Sequence, residues 1–213
     1  MGESRYVALS RELIQKELAV YGFSPQDDFA DRVRLYSELL LRWNERIKLT
    51  TVTDRIQIVR FHFGESLFPI RACRIEKGRL ADFGSGAGFP GAPLAMALPG
   101  LSVRLIESNG RKAAFLAELK RTINLDNAAV HARRAETLGP SEQFDFVTAR
   151  AIGNYPSLLE WARLRLAPGG VVVLWLGAKD VAQIRGARGW AWQDPLQIPE
   201  TRERFVLCGS AAG

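Results

Sequence analysis

The sequence predicts an α/β fold in which a mostly parallel sheet carries helices on both faces, preceded by a helical N-terminal extension. From about residue 79 onwards, short apolar stretches alternate with helical ones, which is typical of a parallel sheet wrapped by helices. A glycine-rich loop follows the first of these strands. Before residue 79, apolar residues recur at helical spacing. We therefore expect an extension over residues 1–78 and a sheet domain over 79–213, together forming one structural unit.

Three helices are predicted in the extension. Ser10 can cap a first helix that ends at Gly22, and Ser24 followed by Pro25 indicates the start of a second. A third would begin at Thr53. The second helix carries an apolar stripe, which we interpret as a packing face against the rest of the protein. Its members are Phe29, Val33, Tyr36, Leu40, Trp43 and Ile47.

The sheet domain is predicted to alternate strands and helices along the chain. The predicted strands cover residues 80–83, 103–106, a stretch near 130, 144–148 and 171–176, with two more near 190 and 205. The predicted helices cover residues 90–98, 111–123 and 157–166, with one more near 181.

Composition and charge limit the classes of function. The chain of 213 residues has a net charge of +6, which suits an acidic partner such as RNA without requiring one. It has no apolar run long enough to cross a bilayer, and its first residues lack the apolar core of a signal peptide, so we expect a cytoplasmic protein. Cys73 and Cys208 have no metal-ligand spacing and no activating neighbour, so neither a metal site nor cysteine chemistry is expected.

The loop from Asp82 to Gly91 reads Asp-Phe-Gly-Ser-Gly-Ala-Gly-Phe-Pro-Gly and joins a strand to a helix. Glycines there allow a ligand to approach main-chain N–H groups, and the following helix favours a negative group. Two cofactor classes fit this pattern. Gly86, Gly88 and Gly91 satisfy the dinucleotide fingerprint of an NAD-dependent enzyme, with Glu107 about 20 residues further on. An acid two residues before the first of the alternating glycines is instead typical of class I methyltransferases.

Glu107 ends the second predicted strand, where its carboxylate could accept hydrogen bonds from the two ribose hydroxyls of either cofactor. Arg134-Ala135-Glu136 follows the third strand, where an adenine edge would lie in a methyltransferase. The alternative for Glu107 is an ordinary surface acid.

Together these segments resemble the RsmG family (also known as GidB), bacterial enzymes that form N7-methylguanosine in the 530 loop of 16S ribosomal RNA. The resemblance covers roughly residues 40 to 175, and its most specific parts are the Gly-Phe-Pro-Gly of the glycine loop and the Ala-Arg-Ala after the fourth strand. The matching pieces are Arg42-Trp43-Asn44, Leu49-Thr50, Phe61-His62, Ser66-Leu67, residues 82–91, Glu107-Ser108, Arg111-Lys112-Ala113, Phe115-Leu116, Arg134-Ala135-Glu136, Phe144-Asp145, Thr148-Ala149-Arg150-Ala151 and Pro168-Gly169-Gly170.

The resemblance implies a class I methyltransferase (Rossmann-like) fold, S-adenosyl-L-methionine as the cofactor, and 16S ribosomal RNA in the small ribosomal subunit as the partner. Gly84 and Phe89 would line the cofactor pocket, Ala135 and Glu136 would meet the adenine, and Glu107 would hold the ribose. Arg150 would be the catalytic residue, facing the cofactor or the target nucleotide; the alternative is a structural ion pair. The implied cofactor-binding set is Asp82, Gly84, Ser85, Gly86, Gly88, Phe89, Glu107, Ser108, Arg134, Ala135, Glu136 and Arg150.

The sequence departs from the family pattern at several positions. Lys48 stands where an asparagine is common, and Gly64-Glu65 replaces a usual Leu-Asp. The family lysine after the fifth strand is missing, and its role is either lost or moved to Lys179. Two other functions stay open alongside RNA methylation: an NAD-dependent oxidoreductase, and a regulatory module that binds S-adenosylmethionine without transferring its methyl group. Nothing in the sequence requires more than a monomer.

Overall fold

The structure, a computed structural model, describes residues 8–212. Its first helices are α1 (Arg11–Ala19), α2 (Asp27–Asn44) and α3 (Arg55–Ile58). The last of these continues through a π-helical turn, Val59–Gly64, into α4 (Glu65–Leu67). None of the helices in the described residues combines the length and apolar character needed to cross a bilayer.

The helix starts of the extension follow the predictions only in part. Ser10 caps α1 as predicted, its side chain accepting a hydrogen bond from the Leu13 N–H. The second start was wrong: α2 begins at Asp27 rather than Pro25, because acidic residues in the first turn complement the positive end of the helix. The cap of α3 is Asp54 rather than Thr53, since the Asp54 carboxylate accepts from the Gln57 N–H.

The rest of the described chain alternates strands and helices. The elements are β1 (Gly78–Phe83), α5 (Gly91–Ala97), β2 (Leu101–Ile106), α6 (Gly110–Thr122), β3 (Ala128–His131), β4 (Phe144–Arg150), α7 (Tyr155–Arg165), β5 (Leu166–Gly177), α8 (Ala178–Arg185), β6 (Trp190–Trp192), β7 (Leu196–Gln197) and β8 (Arg204–Ala211). A 3₁₀ turn, Ala135–Thr137, lies between β3 and β4.

These strands form a single mixed sheet in the order β3-β2-β1-β4-β5-β8-β6, with β7 pairing to β8. Strands β1 to β5 are parallel, whereas β8 runs antiparallel to β5 and to β6. The order reverses between β1 and β4, which makes the crevice at the carboxyl ends of these two strands the expected ligand site.

Alternating strand residues contribute to two separate hydrophobic cores, because successive side chains of a strand point to opposite faces of the sheet. Leu80 belongs to the core that includes α1, α2 and α6, and Ala81 belongs to the core under α7 and α8. The same alternation separates Phe146 from Val147. Helices therefore cover both faces, as predicted.

The extension packs directly into the first of these cores. Val33 and Tyr36 of α2 are fully buried, and Tyr36 lies 6.4 Å from the Phe115 ring of α6, centroid to centroid. Trp43 meets the edge of the same ring at 5.8 Å. The aromatic stripe of α2 is thus a packing face.

The two cysteines form a disulfide, which was not predicted from the sequence. Cys73 follows α4, Cys208 lies on β8, and their Cα atoms are 6.4 Å apart across a sequence separation of 135 residues. Both residues are buried. Spacing along the chain gave no sign of the pair because the fold alone brings the two positions together.

Candidate active site

The glycine loop leaves β1 at the sheet edge where the strand order reverses. Gly84, Gly86 and Gly88 all have positive φ values (71°, 56° and 92°), a conformation that residues with a side chain rarely adopt. The loop is tied to the neighbouring strand, since the Ser85 N–H donates to the Ile106 carbonyl oxygen at 2.8 Å. Ser85 itself is buried, and its hydroxyl donates to the main-chain oxygen of Asp82.

Asp82 is a buried acid beneath this loop, 1% exposed. The hydroxyl of Thr148, its partner in register on β4, donates to Oδ1 at 2.8 Å. The other oxygen, Oδ2, has no hydrogen-bond partner among the described residues. Burial raises the pKa of Asp82 to about 6, although the Thr148 hydrogen bond opposes the rise. Asp82 thus supports the loop from below.

Glu107 follows β2 and fastens the loop from the side. One carboxylate oxygen accepts from the Gly86 N–H at 2.9 Å, and the other accepts from the Asn109 N–H at 2.7 Å. The residue is 8% exposed. Each carboxylate oxygen can accept more than one hydrogen bond, so this carboxylate could also accept from a bound diol.

A cavity of about 200 Å³ opens beside Glu107 at the carboxyl ends of β1, β2 and β3. The indole N–H of Trp161 fixes one wall by donating to the Ala135 carbonyl oxygen at 3.2 Å. Six of the predicted cofactor-binding residues line the cavity, and three further residues were missed because they are ordinary strand-end and turn positions. The lining residues are Phe83, Gly84, Ile106, Glu107, Ser108, Arg133, Arg134, Ala135 and Glu136.

Phe89, which was expected to line the cofactor pocket, is not among these lining residues. It is 8% exposed and stacks between two rings of the extension, with centroids 5.0 Å from Tyr36 and 4.6 Å from His62. The Tyr36 hydroxyl also donates to the Ala87 carbonyl oxygen at 2.5 Å. The extension therefore contacts the glycine loop through Ala87 and Phe89, neither of which lines the cavity.

His62 is a neutral ring within this contact. Its Nε2 lies 2.8 Å from the Thr50 hydroxyl. The pKa of His62 falls to about 3, first because the ring is buried and then because Arg150 and Arg204 repel a positive charge. The Asn44 side chain closes the loop that carries Thr50, accepting from its N–H and donating to its carbonyl oxygen. The three motif pieces that contain Asn44, Thr50 and His62 are thus joined in one set of contacts beside Phe89.

Arg150, the predicted catalytic residue, ends β4 in an ion-pair cluster. Its Nη2 lies 2.9 Å from Oε2 of Glu65, whose Oε1 lies 2.8 Å from Nη1 of Arg204. Glu65 is 1% exposed, and burial raises the pKa of its carboxyl while the two guanidinium groups oppose the rise. The residue after Arg150, Ala151, has a positive φ of 53°. Backbone of this kind concentrates at functional sites.

The cluster borders a second cavity, of about 520 Å³, at the carboxyl ends of β4 and β5. Tyr155, Trp175 and Ile198 are among its lining residues, and Asp180 contributes a second acid. Glu65 and Arg204 were not predicted as site residues. The only available signal was the Gly64-Glu65 departure from the family pattern, and Arg204 lies beyond the resemblance. Lys179 is exposed in the first turn of α8.

The first cavity has the chemistry of an adenosine site. It offers a buried carboxylate for hydroxyl groups, main-chain groups of Ala135 for a base edge, and a loop at Gly84 where the backbone approaches without a side chain. S-Adenosylmethionine fits this set. An NAD enzyme of the doubly wound type would instead continue its sheet with a parallel sixth strand, where this chain has the antiparallel β8.

Comparison with solved structures shows the same fold in several methyltransferases. The ribosomal protein L11 methylase of Lactobacillus delbrueckii subsp. bulgaricus matches with a TM-score of 0.60 and 13% identity, covering 72% of this chain and 80% of that one. A putative O-methyltransferase from Klebsiella pneumoniae matches with a TM-score of 0.61 and 14% identity over 84% and 90% of the two chains. The fold of this chain is therefore that of the class I methyltransferases.

Sequence comparison identifies the family within that class. Residues 30–198 match the family model described as rRNA small subunit methyltransferase G. The chain is 38% identical over 169 residues to the ribosomal RNA small subunit methyltransferase G of Stenotrophomonas maltophilia, covering 77% of this chain and 78% of the relative. It is 39% identical over 175 residues to that of Xanthomonas campestris pv. campestris, covering 81% and 82%. The chain belongs to the rRNA small subunit methyltransferase G family.

Proposed function

We propose that this enzyme methylates N7 of one guanine in the 530 loop of 16S ribosomal RNA, acting on the small ribosomal subunit as a cytoplasmic monomer. The observation that carries the proposal is the pair of cavities on either side of the β1–β4 switch point. One is suited to an adenosine and the other holds the Arg150 cluster. Family membership adds the RNA substrate, since the relatives are named for the small-subunit RNA.

In this proposal the cofactor lies against the ends of β1, β2 and β3. Glu107 accepts hydrogen bonds from the ribose, and the main chain of Ala135 and the side chain of Glu136 meet the adenine. Gly84 and Gly86 give the backbone room to approach. The remaining predicted residues of the loop do not line the cavity and instead keep the loop in its conformation. They are Asp82, Ser85, Gly88 and Phe89.

The reaction requires no general base. S-Adenosylmethionine supplies an electrophilic methyl group, and guanine N7 carries an in-plane lone pair with no proton to lose. The task of the protein is therefore to align the base and to exclude water. The ion-paired Arg150 and the neutral His62 agree with this account, because neither is arranged as a general base.

The proposal is tested by transfer of labelled methyl groups from S-adenosylmethionine to small subunits that lack the modification, followed by mapping of the methylated base. Label at a single guanine N7 of the 530 loop supports it. Label at another position overturns the assigned nucleotide. Cofactor binding without transfer would favour a regulatory module instead.

Arg150→Ala is predicted to lower turnover by about 100-fold while changing the affinity for S-adenosylmethionine much less, because Arg150 lies in the second cavity rather than in the first. Single-turnover rates and calorimetric titration measure the two effects. Arg150→Lys, which keeps a positive charge beside Glu65, controls for a general loss of structure, monitored by thermal unfolding. Equal losses of turnover and cofactor affinity would rule out a role on the substrate side.

A further inference from the structure

The buried acid Glu65 lies between two guanidinium groups at the wall of the second cavity. Arg150 and Arg204 contact different oxygens of its carboxylate, at 2.9 Å and 2.8 Å. The side chains of these three residues are 1%, 16% and 36% exposed, in the order Glu65, Arg150, Arg204. A pair this deeply buried is strong only when its geometry is fixed. The three charges sum to one positive charge facing the cavity.

The position of Glu65 is fixed by contacts that do not involve its carboxylate. The indole N–H of Trp175 on β5 donates to the Glu65 main-chain oxygen at 2.7 Å. The preceding residue is glycine because a side chain there would overlap the Tyr21 ring of the extension. The carboxylate is therefore held at one place relative to the cavity.

Arg150 has one donor group that remains free. Its Nη1 is buried and has no hydrogen-bond partner in residues 8–212. A buried N–H without an acceptor costs about 1–3 kcal/mol. Arg150 lines the second cavity with 16% of its side chain exposed, so it gains when an acceptor that enters the cavity reaches this nitrogen. Arg204 is held by the cation–π contact of its guanidinium with the Phe61 ring, 4.5 Å from the centroid. Both arginines are thus presented in fixed orientations.

The chemistry of guanine matches such a donor. Guanine has two acceptors on one edge, O6 and N7, whereas adenine has an amino donor at the position of O6. N7 must keep its lone pair free in order to take the methyl group. A donor that recognises the base must therefore hydrogen-bond to O6 and not to N7. This requires a guanidinium group whose orientation prevents it from contacting both acceptors at once.

We propose that Glu65 is a positioning residue that fixes Arg150 and Arg204 so that Arg150 donates to O6 of the target guanine and selects guanine over adenine. This inference rests on the proposed function and adds the atom of the base that is recognised. Glu65 also offsets one of the two positive charges, so that the field of the guanidinium groups lowers the nucleophilicity of N7 less. Without the carboxylate, the arginine side chains regain rotamer freedom and selection weakens.

The first test needs no protein variant. Small subunits are reconstituted with 2-aminopurine at the target position, which lacks O6 but keeps N7, or with hypoxanthine, which keeps O6 but lacks the 2-amino group. We expect 2-aminopurine to lower kcat/KM by at least about 30-fold and hypoxanthine to lower it by less than about 5-fold. Equal methylation of guanine and 2-aminopurine overturns the inference, as does a loss with hypoxanthine that equals the loss with 2-aminopurine.

The second test uses Glu65→Gln with Glu17→Gln as the matched control. Glu17 is also buried and ion-paired to one arginine, Arg60, but it lies in α1 away from the cavity. Glu65→Gln is expected to reduce the ratio of kcat/KM for guanine over 2-aminopurine by about 10-fold. Glu17→Gln should leave that ratio unchanged. A purely structural role of Glu65 would lower both rates in parallel and leave the ratio as it is, which overturns the inference.

Two further measurements keep the outcome clear. Filter binding of the same subunits without the methyl donor should show the same order of preference among the bases, independently of turnover. If Glu65→Gln does not fold, Glu65→Asp takes its place and should retain most of the selectivity. Failure of the wild-type enzyme to methylate guanine-containing subunits would count against the proposed function, whereas methylation without base selectivity would count only against this inference.

Discussion

At the scale of single residues, His62 shows how a buried ionisable group links stability to pH. Its pKa is about 3 in the folded protein and about 6.5 in an exposed histidine. The unfolded chain therefore binds a proton between these values while the folded chain does not. The stability associated with neutral His62 is fully present above pH 6.5 and is lost as the pH falls towards 3.

His62→Phe is predicted to reduce the acid sensitivity of folding. Between pH 6.5 and 4, the free energy of unfolding of the wild type should fall by up to about 1.4 kcal/mol per pH unit from this group alone, and the variant should lack that part of the slope. A phenyl ring preserves the stacking on Phe89. Urea unfolding at several pH values measures the slopes. His131→Phe, at the other histidine, is the control, and equal slopes in all three proteins would contradict the prediction.

At the scale of elements, the glycine loop and α2 were each predicted, but their contact was not. A Cβ added at Gly88 would overlap the Tyr36 hydroxyl and would also lie 3.3 Å from the Ala92 Cβ. Gly88 has a φ of 92°, so the glycine is required both by backbone conformation and by the approach of α2. Sequence patterns reveal an apolar stripe, but they do not identify the element that the stripe meets.

Gly88→Ala is predicted to destabilise the fold by about 2–4 kcal/mol, through backbone strain and the displacement of Tyr36. Tyr36→Phe removes the hydroxyl and its hydrogen bond to Ala87, at a cost of about 1–2 kcal/mol. In the double variant the added methyl group has more room. Its destabilisation should therefore be smaller than the sum of the two single costs by about 1 kcal/mol or more. Denaturant unfolding of the four proteins measures this coupling, and simple additivity would argue against the contact.

At the scale of the whole molecule, the sheet and the first cavity were predictable and the second cavity was not. The strand and helix pattern indicated the α/β fold, because these features are local in sequence. The loop from Asp82 to Gly91 with Glu107 indicated a cofactor site but left NAD and S-adenosylmethionine both open, and only the family resemblance favoured the second. The cluster of Glu65, Arg150 and Arg204 joins residues that are 54 to 139 positions apart. No local pattern encodes such a juxtaposition.

The disulfide is another long-range link, and it is predicted to contribute several kcal/mol of stability under oxidising conditions. In the chain-entropy model, closing a loop of this length stabilises the folded state by about 5 kcal/mol. Reduction of the wild type should therefore lower its urea midpoint, whereas Cys73→Ala/Cys208→Ala should respond to reductant little or not at all. A thiol count on the unfolded, unreduced protein is the companion measurement. A wild-type urea midpoint that does not change when reductant is added would show that the two cysteines are not bonded in solution.

The aromatic stack on Phe89 has a consequence for how this protein can change over generations. Tyr36 and His62 come from the helical extension, and the loop that they contact comes from the sheet domain. Recombination that joined this sheet domain to the helices of a distant relative would separate Tyr36 from Gly88. The extension and the sheet domain must therefore be inherited together, and functional chimaeras should have crossovers outside the segment from Tyr36 to Phe89.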